Sequence, residues 1–547
     1  TIFRDMASLT PMQGALGHRH AAHLLRRTSY RYTKTKVDEM AGQTASQALA
    51  TLLQLYPQKL DQPIYSDGST WINPPGTSSP AQDFMLRPWV MSWWINEAVQ
   101  DPGIGHRMTF FLHQYNALDM TAFATTHFYD YLALLRWAAL GNFKKLALKM
   151  ITDNCMLRYL NNTENSENNP NENFAREFFE LFTIGKGPQI GPGDYTNYTE
   201  DDIVAAARLL TGFRIRGQRD NIDPETMIPH GFANPARHDD MPKKFSDKFG
   251  GTEIPGSSDV PGMWAELAAL VDMTFAQNET ARNFCRRVYR YFVSRNITDE
   301  IENDIIGPLA DTFIAADFEI KPVLEQLFQS QHFFDMDDSD NADEIIGGII
   351  KSPVELVLQA LSFYEIPLPD PLTETDAYFQ FYNRGVVQRM FAQANMPLFF
   401  PPDVAGYPGN YQSPDFHRQW FNSSTIVARY KLPEILLSGK LTIGGSANQP
   451  LGVKLDIASW IKNSGVISDA TDPYVLVQDL LVYMLPESTD NDRFNYFYIT
   501  IFLDNLPPAD WTYEWQNYLN TGDDTEVKIP LERLINSIMY SAEYQLF

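Results

Sequence analysis

The sequence predicts a mainly α protein: one large multi-helix body over residues 1–547, with long Pro-, Gly- and Asn-rich loops and little strand. Three observations carry this. Apolar residues recur at helical spacing through most of the chain, as in "TEDDIVAAARLLTGF", where Ile203, Ala206, Ala207 and Leu210 share one face. Alternating apolar and polar runs, the mark of half-buried strands, are scarce. With 44% hydrophobic and 13% aromatic residues, 547 residues can build a sizeable core, and 35 prolines with 31 glycines supply many connections.

Helical patterns fall at about 20–28, 127–160, 171–184, 278–295, 299–334, 344–364, 417–437, 448–463 and 528–545. Between them, Thr199 followed by Asp202 makes a capping-box start for a further helix, and Gly212 is its stop signal. The polar, turn-rich stretches 61–83 and 214–258 read as long surface loops, and 395–416 is a third, Pro-rich one. "VLEQLFQSQHFF" (323–334) and "RLINSIMYSAEYQLF" (533–547) echo one another, but a single pair does not make a repeat array.

A formal net charge of −25 excludes nonspecific nucleic-acid binding, which draws its affinity from Lys and Arg on phosphates, and disfavours anionic membranes. No run approaches the length of an apolar membrane span, and the start at Thr1 rather than Met points to a processed or trimmed chain. Cys155 and Cys285 fit either one disulfide or two buried thiols. There is no Walker A loop, dinucleotide glycine fingerprint, CxxC or CxxCH signature, so nucleotide and covalent haem have no positive support. The N-x-[ST] matches at 161, 197, 278, 296 and 422 are what an Asn-rich chain yields by chance.

The stretch "NNTENSENNPNENFAREFFELFTIG" (161–185) is the richest in chemistry. Pro170 in a first turn, with Asn168 or Asn169 as cap, starts a helix running to Gly185. Phe174, Phe178, Leu181 and Phe182 then form its apolar face, and Glu172, Asn173, Arg176, Glu177 and Glu180 its polar one, with ion-pair spacing from Arg176 to Glu172 and Glu180. Glu164, Asn165, Glu167, Asn168, Asn171 and Glu172 concentrate hard oxygens at the helix start. Calcium takes six to eight such ligands. The same asparagines also serve as caps and turns, and both readings stand. Glu177 and Glu180 form an acid–base pair only if their surroundings differ.

Five segments together, "AAHLLRRTSY" (21–30), "ALGNFKKLALKMITDNCMLRYLNNTEN" (139–165), "PNENFAREFFELFTIG" (170–185), "YTEDDIVAAARLLTGF" (198–213) and "MPLFFPPDVAGYPG" (396–409), resemble the bacterial domain of unknown function 1800 family, from about residue 15 onward. The resemblance implies a largely helical protein with no established activity, exported to the periplasm, cell surface or exterior. It also implies a candidate partner, an exported alkaline-phosphatase- or sulfatase-like protein of the domain of unknown function 1501 family. One departure stands out: the family's Phe-Trp-His-x-His-Phe-like stretch is "FFLHQYN" here, so His113 matches the first histidine and Tyr115 replaces the second. "HGFANPARHDDMPKKF" holds a family-like His-Asp, His238 and Asp239, in a long loop beside His230 and Asp240. His18, His20 and His23 in "HRHAAH", and His127, read as surface or capping histidines rather than a ligand set.

The leading expectation is therefore a noncatalytic binding or assembly module at the cell envelope or outside the cell. A second reading is a metal-dependent hydrolase, with His113, Glu172, Glu177, His238 and Asp239 as its groups and a transition metal as Lewis acid. A third is calcium-stabilised structure at Glu164, Glu167, Asn168, Asn171 and Glu172. For a partner surface, Phe399, Tyr407, Tyr411 and Trp420 are the candidate aromatics; buried, they would instead lock the loop to the core.

Overall fold

Caps and glycines cut the helical patterns into elements. In the computed structural model, which describes residues 7–65, 67–72, 74–77, 83–337, 345–443 and 446–547, the pattern at 127–160 becomes three helices, Thr125–Ala138, Phe143–Met150 and Asn154–Tyr159. The breaks have local causes. Asn142 accepts the Lys145 amide at 2.9 Å and Asp153 that of Met156 at 2.8 Å, so each restarts the chain as an N-cap. Likewise the pattern at 299–334 parts after Gly307–Ala315, where Asp317 (φ 50°) and Phe318 (φ 63°) enter the left-handed region, and resumes as Ile320–Phe328.

The capping box of Thr199 and Asp202 forms as expected ahead of helix Glu200–Leu209. Ser352 and Glu355 make another at the head of Pro353–Phe363; the pattern's first position, 344, lies outside the described residues. Only the end of the pattern at 448–463 is helical, as Ile457–Asn463. Helices Arg87–Gln100 and Gly105–Tyr115 do not stand out in the patterning. Every residue of the second is buried, so it has no polar face to make a stripe.

Among the described residues the strands form four two-stranded antiparallel ribbons, so the fold is mainly α. Three lie between 189 and 254: Gln189–Gly191 with Asp194–Tyr195, Phe213–Arg214 with Phe232–Ala233, and Lys243–Lys244 with Glu253–Ile254. The last two stiffen the predicted loop 214–258. In the predicted loop 61–83, Trp71 and Ile72 are buried anchors, while residues 66, 73 and 78–82 lie outside the described residues. Among the described residues no helix is long and apolar enough to cross a membrane.

A connected set of buried side chains reaches from Met12 to Tyr544, and charged groups sit inside it. Arg107 pairs with Glu355 and donates from Nε to the Arg27 carbonyl at 2.8 Å. Arg27 donates to the carbonyls of Phe292 and Val293, both at 3.3 Å, and to that of Ile345. Burial, with Arg107 nearby, brings the Arg27 guanidinium down to about 9. The Phe547 ring lies 4.7 Å from the Arg27 guanidinium and 5.5 Å from that of Arg107. Farther along, Arg429 reaches Gln545 at 2.7 Å and the Lys351 carbonyl at 2.9 Å, and Lys351 reaches the Tyr544 carbonyl at 2.8 Å. Removing one member of such a pair strands the other charge in the core, a loss of about 3–5 kcal/mol.

The Pro-rich loop is fastened by aromatics. Phe399, held at φ 62°, is fully buried with its ring 5.1–5.3 Å from Trp94, His113 and Phe128. Tyr407 donates its hydroxyl to the Pro397 carbonyl, and Trp420 lies over Gly409, where a Cβ would come within 2.3 Å of the indole. These three rings act as the core lock, and Tyr411 is half-buried beside them.

Candidate functional site

The asparagines of 161–185 spend their side chains on the fold. Asn165 donates to Asn162 Oδ1 at 3.1 Å and to the Ala207 carbonyl at 2.9 Å, and accepts the Asn171 amide at 2.8 Å. Asn162 donates to the Leu210 carbonyl at 3.1 Å. Together they tie the irregular loop to the C-terminal end of helix Glu200–Leu209, satisfying carbonyls that the helix leaves open. Glu164, Glu167, Asn168 and Glu172 point to solvent, and Asn171 is half-buried.

The helix after this loop differs from the expectation in its bounds and winding. It opens at Asn173 rather than Pro170, runs regularly to Glu177, and continues from Phe178 to Phe182 as a widened turn with i→i+5 bonding. The widening carries Phe179 inside along with Phe174, Phe178 and Phe182; its ring stacks 5.7 Å from Tyr198 and 5.3 Å from Phe249. Arg176 pairs with Glu172 at 3.2 Å and Glu200 at 2.6 Å, whereas Glu180 meets the Tyr198 hydroxyl at 3.2 Å and Lys186 at 3.5 Å. Burial, reinforced by Glu180, pushes the Glu177 carboxyl up to about 7.

The remaining sequence-chosen groups lie in separate surroundings. His113 is sealed in the core with Nδ1 2.9 Å from the Tyr131 hydroxyl, and burial drops its basicity to about 3. His238 is also buried, Nδ1 2.8 Å from the Thr211 carbonyl and Nε2 3.0 Å from Glu266, which Lys243 meets at 2.7 Å. Asp239 takes two bonds from Arg208, at 2.7 and 3.1 Å. His23 reaches the Phe333 carbonyl at 2.9 Å, and Cys155 and Cys285 are buried free thiols. Among the described residues no three His, Cys, Asp or Glu side chains gather closely enough to hold a metal ion.

What does gather is a cleft of about 460 Å³ between the helical body and the loop 221–233. Its lining is mostly apolar: Leu134 and Leu148 from the helices, Ile222, Ile228 and Phe232 from the loop, and Trp264 from helix Val260–Phe275. The loop can come this close because Gly231 donates its amide to the Thr152 carbonyl at 2.7 Å; a Cβ there would stand 2.6 Å from the Arg214 carbonyl and Leu157. Lys149 enters the lining already paired, 2.7 Å from Asp223 and 2.9 Å from Glu225. His230 lies 5.5 Å from Trp264, its basicity lowered by burial.

Asp153 is the chemically unusual member. It caps helix Asn154–Tyr159 while also lining the cleft. Burial, with Asp130 adding repulsion, pushes its carboxyl up to about 7; Asp130 itself is held by Arg219 through bonds of 2.6 and 2.7 Å. His230 stands out in the sequence, whereas Asp153 and Trp264 do not and come together only through the fold. The available signal was apolar: Ile222, Ile228 and Phe232 interrupt an otherwise polar loop.

The sequence model of the family described as protein of unknown function (DUF1800) matches residues 23–546, nearly the whole chain. The chain belongs to this family. Neither curated proteins nor solved structures give a match. The DUF1800 match takes in both sides of the cleft, from Leu134 to Trp264.

The displaced Asp153 carboxyl makes stability depend on pH in a defined sense. Between about pH 4 and pH 7 the unfolded chain releases this proton while the folded protein keeps it, so stability falls as pH rises through that window. Asp153→Asn keeps a capping side chain and removes the titration. Relative to the parent it is expected to gain on the order of 2 kcal/mol between about pH 5 and pH 8 in urea unfolding. A relative loss over the same interval would mean that the buried carboxylate is favourably paired.

Proposed function

We propose that this chain is a noncatalytic binding module, exported and working at the cell envelope or outside the cell, with the cleft between Leu148–Asp153 and the loop 221–233 as its ligand site. One observation carries the binding reading: a preformed, mostly apolar concavity of about 460 Å³ with a few convergent polar groups. That combination is what small-molecule sites are made of. The metal-hydrolase and calcium readings find less support. His238 and Asp239 would have to leave Glu266 and Arg208, Asn171 Oδ1 the Asn173 amide it accepts, and Glu172 its pair with Arg176.

The exported setting rests on the family, whose members are typically exported, and a phosphatase- or sulfatase-like DUF1501 protein as partner rests on such a protein being often encoded beside family members. Size-exclusion of the two purified proteins, alone and mixed, is expected to show a joint peak; two unchanged peaks would remove that partner.

For the cleft, the neutral naphthalene probe prodan is expected to bind the purified protein at one site, with a blue-shifted emission. Ile228→Trp, which fills the cleft from its wall, is expected to abolish that signal. Equal binding by both proteins would locate the probe elsewhere and defeat the reading.

A further inference from the structure

Resting on the cleft as a ligand site, its charge inventory narrows the ligand. Most of the charged groups around the cavity already have partners. Lys149 is engaged by Asp223 and Glu225, and Asp130 by Arg219. His230 is held toward its neutral form by burial. Tyr131 donates its hydroxyl to the Asn116 carbonyl at 2.7 Å, and burial pushes both this phenol and the Cys155 thiol away from ionisation. Asp153 remains. It accepts the Met156 amide at 2.8 Å, and among the described residues no Lys, Arg or His forms an ion pair with it.

A carboxylate on the wall of an apolar cleft, without a cationic partner from the protein, is the complement of a cation arriving with the ligand. Such a charge-assisted bond is about twice as strong as a neutral one. The indole of Trp264 adds a face that attracts cations and stacks on flat apolar groups. The volume suits a small organic molecule and is far larger than a bare metal ion needs. Lys149 does not oppose this, because its charge is already neutralised by two carboxylates.

We propose that the cleft binds an organic ammonium ion with an apolar, flat body, its nitrogen at the Asp153 carboxylate and its body among Trp264, Ile222, Ile228 and Leu148. Binding then follows the ionisation of Asp153. The cation keeps its charge across neutral pH while the carboxyl titrates near 7, so affinity rises as pH rises through that value.

The test is calorimetric titration of the full chain with tryptamine and with tryptophol, its neutral alcohol counterpart. At about pH 8, tryptamine is expected to bind about tenfold or more tightly than tryptophol, and to lose most of that advantage at about pH 6. Asp153→Asn is expected to bring the affinity ratio of the two ligands close to one at both pH values. If that variant fails to fold by circular dichroism, Asp153→Ser, with another good capping residue, takes its place. Ile228→Trp is expected to block both ligands. Equal affinities in the parent protein, or a tryptamine preference that survives loss of the carboxylate, would overturn the ammonium inference while leaving the cleft as a ligand site. Binding of neither ligand, together with failure of prodan to bind, would overturn both.

Discussion

Arg27, Arg107 and Glu355 sit where water does not reach them, and a buried charge must be paired or the fold fails around it. Their bonds join the first helix, Gly17–Thr28, the wholly buried Gly105–Tyr115, the end of Asn278–Phe292 and the start of Pro353–Phe363. Phe547 closes over both guanidinium groups, so the last residues of the sequence pack against the first helix. The apolar core alone would tolerate many arrangements of these helices. The fixed geometry of two arginines and one carboxylate tolerates few.

The same rule operates beside the cleft wall. Loop 214–258 lacks long helices or strands, yet it is pinned by polar contacts: the buried His238 and Lys243 on Glu266 and Arg219 on Asp130, and Asp239 on the half-buried Arg208. Gly231 brings its backbone against Thr152. A ligand entering the cleft therefore meets a wall that is already ordered, which limits the entropy lost on binding. Asp153 is the exception to the pairing rule within this region, and that exception is what gives the cleft its chemical character.

Much of the fold was legible because its signals are local. Thr199 and Asp202 declare a helix start within four residues, whereas the caps at Asn142 and Asp153, which split 127–160 into three helices, sit inside a continuous helical pattern that hides them. Arg87–Gln100 and Gly105–Tyr115 were not legible: the second is buried all round and carries no stripe, and the first is buried except at its ends and at Asn96 and Glu97. The widened turn at Phe178–Phe182 has no compositional mark, so the inward turn of Phe179 was missed. In the site, the asparagine-rich loop was recognised as a neighbourhood of caps or ligands, but the carbonyls that claim Asn162 and Asn165 belong to Leu210 and Ala207, far along the chain. Phe399, Tyr407 and Trp420 were visible as aromatics; only packing could assign them to the core. The cleft joins Asp153, Ile228 and Trp264 from distant segments, a meeting that no local pattern encodes.

On the proposed reading this cleft, rather than the acidic loop or the buried histidines, receives the ligand. The most direct measurement is a crystallographic fragment soak of the purified full chain with a chemically mixed library of neutral, anionic and ammonium compounds. Fragments are expected to accumulate between Trp264 and Ile228, with ammonium groups turned to Asp153. Fragments clustered at another site, or ammonium groups in the cleft turned away from Asp153, would contradict it.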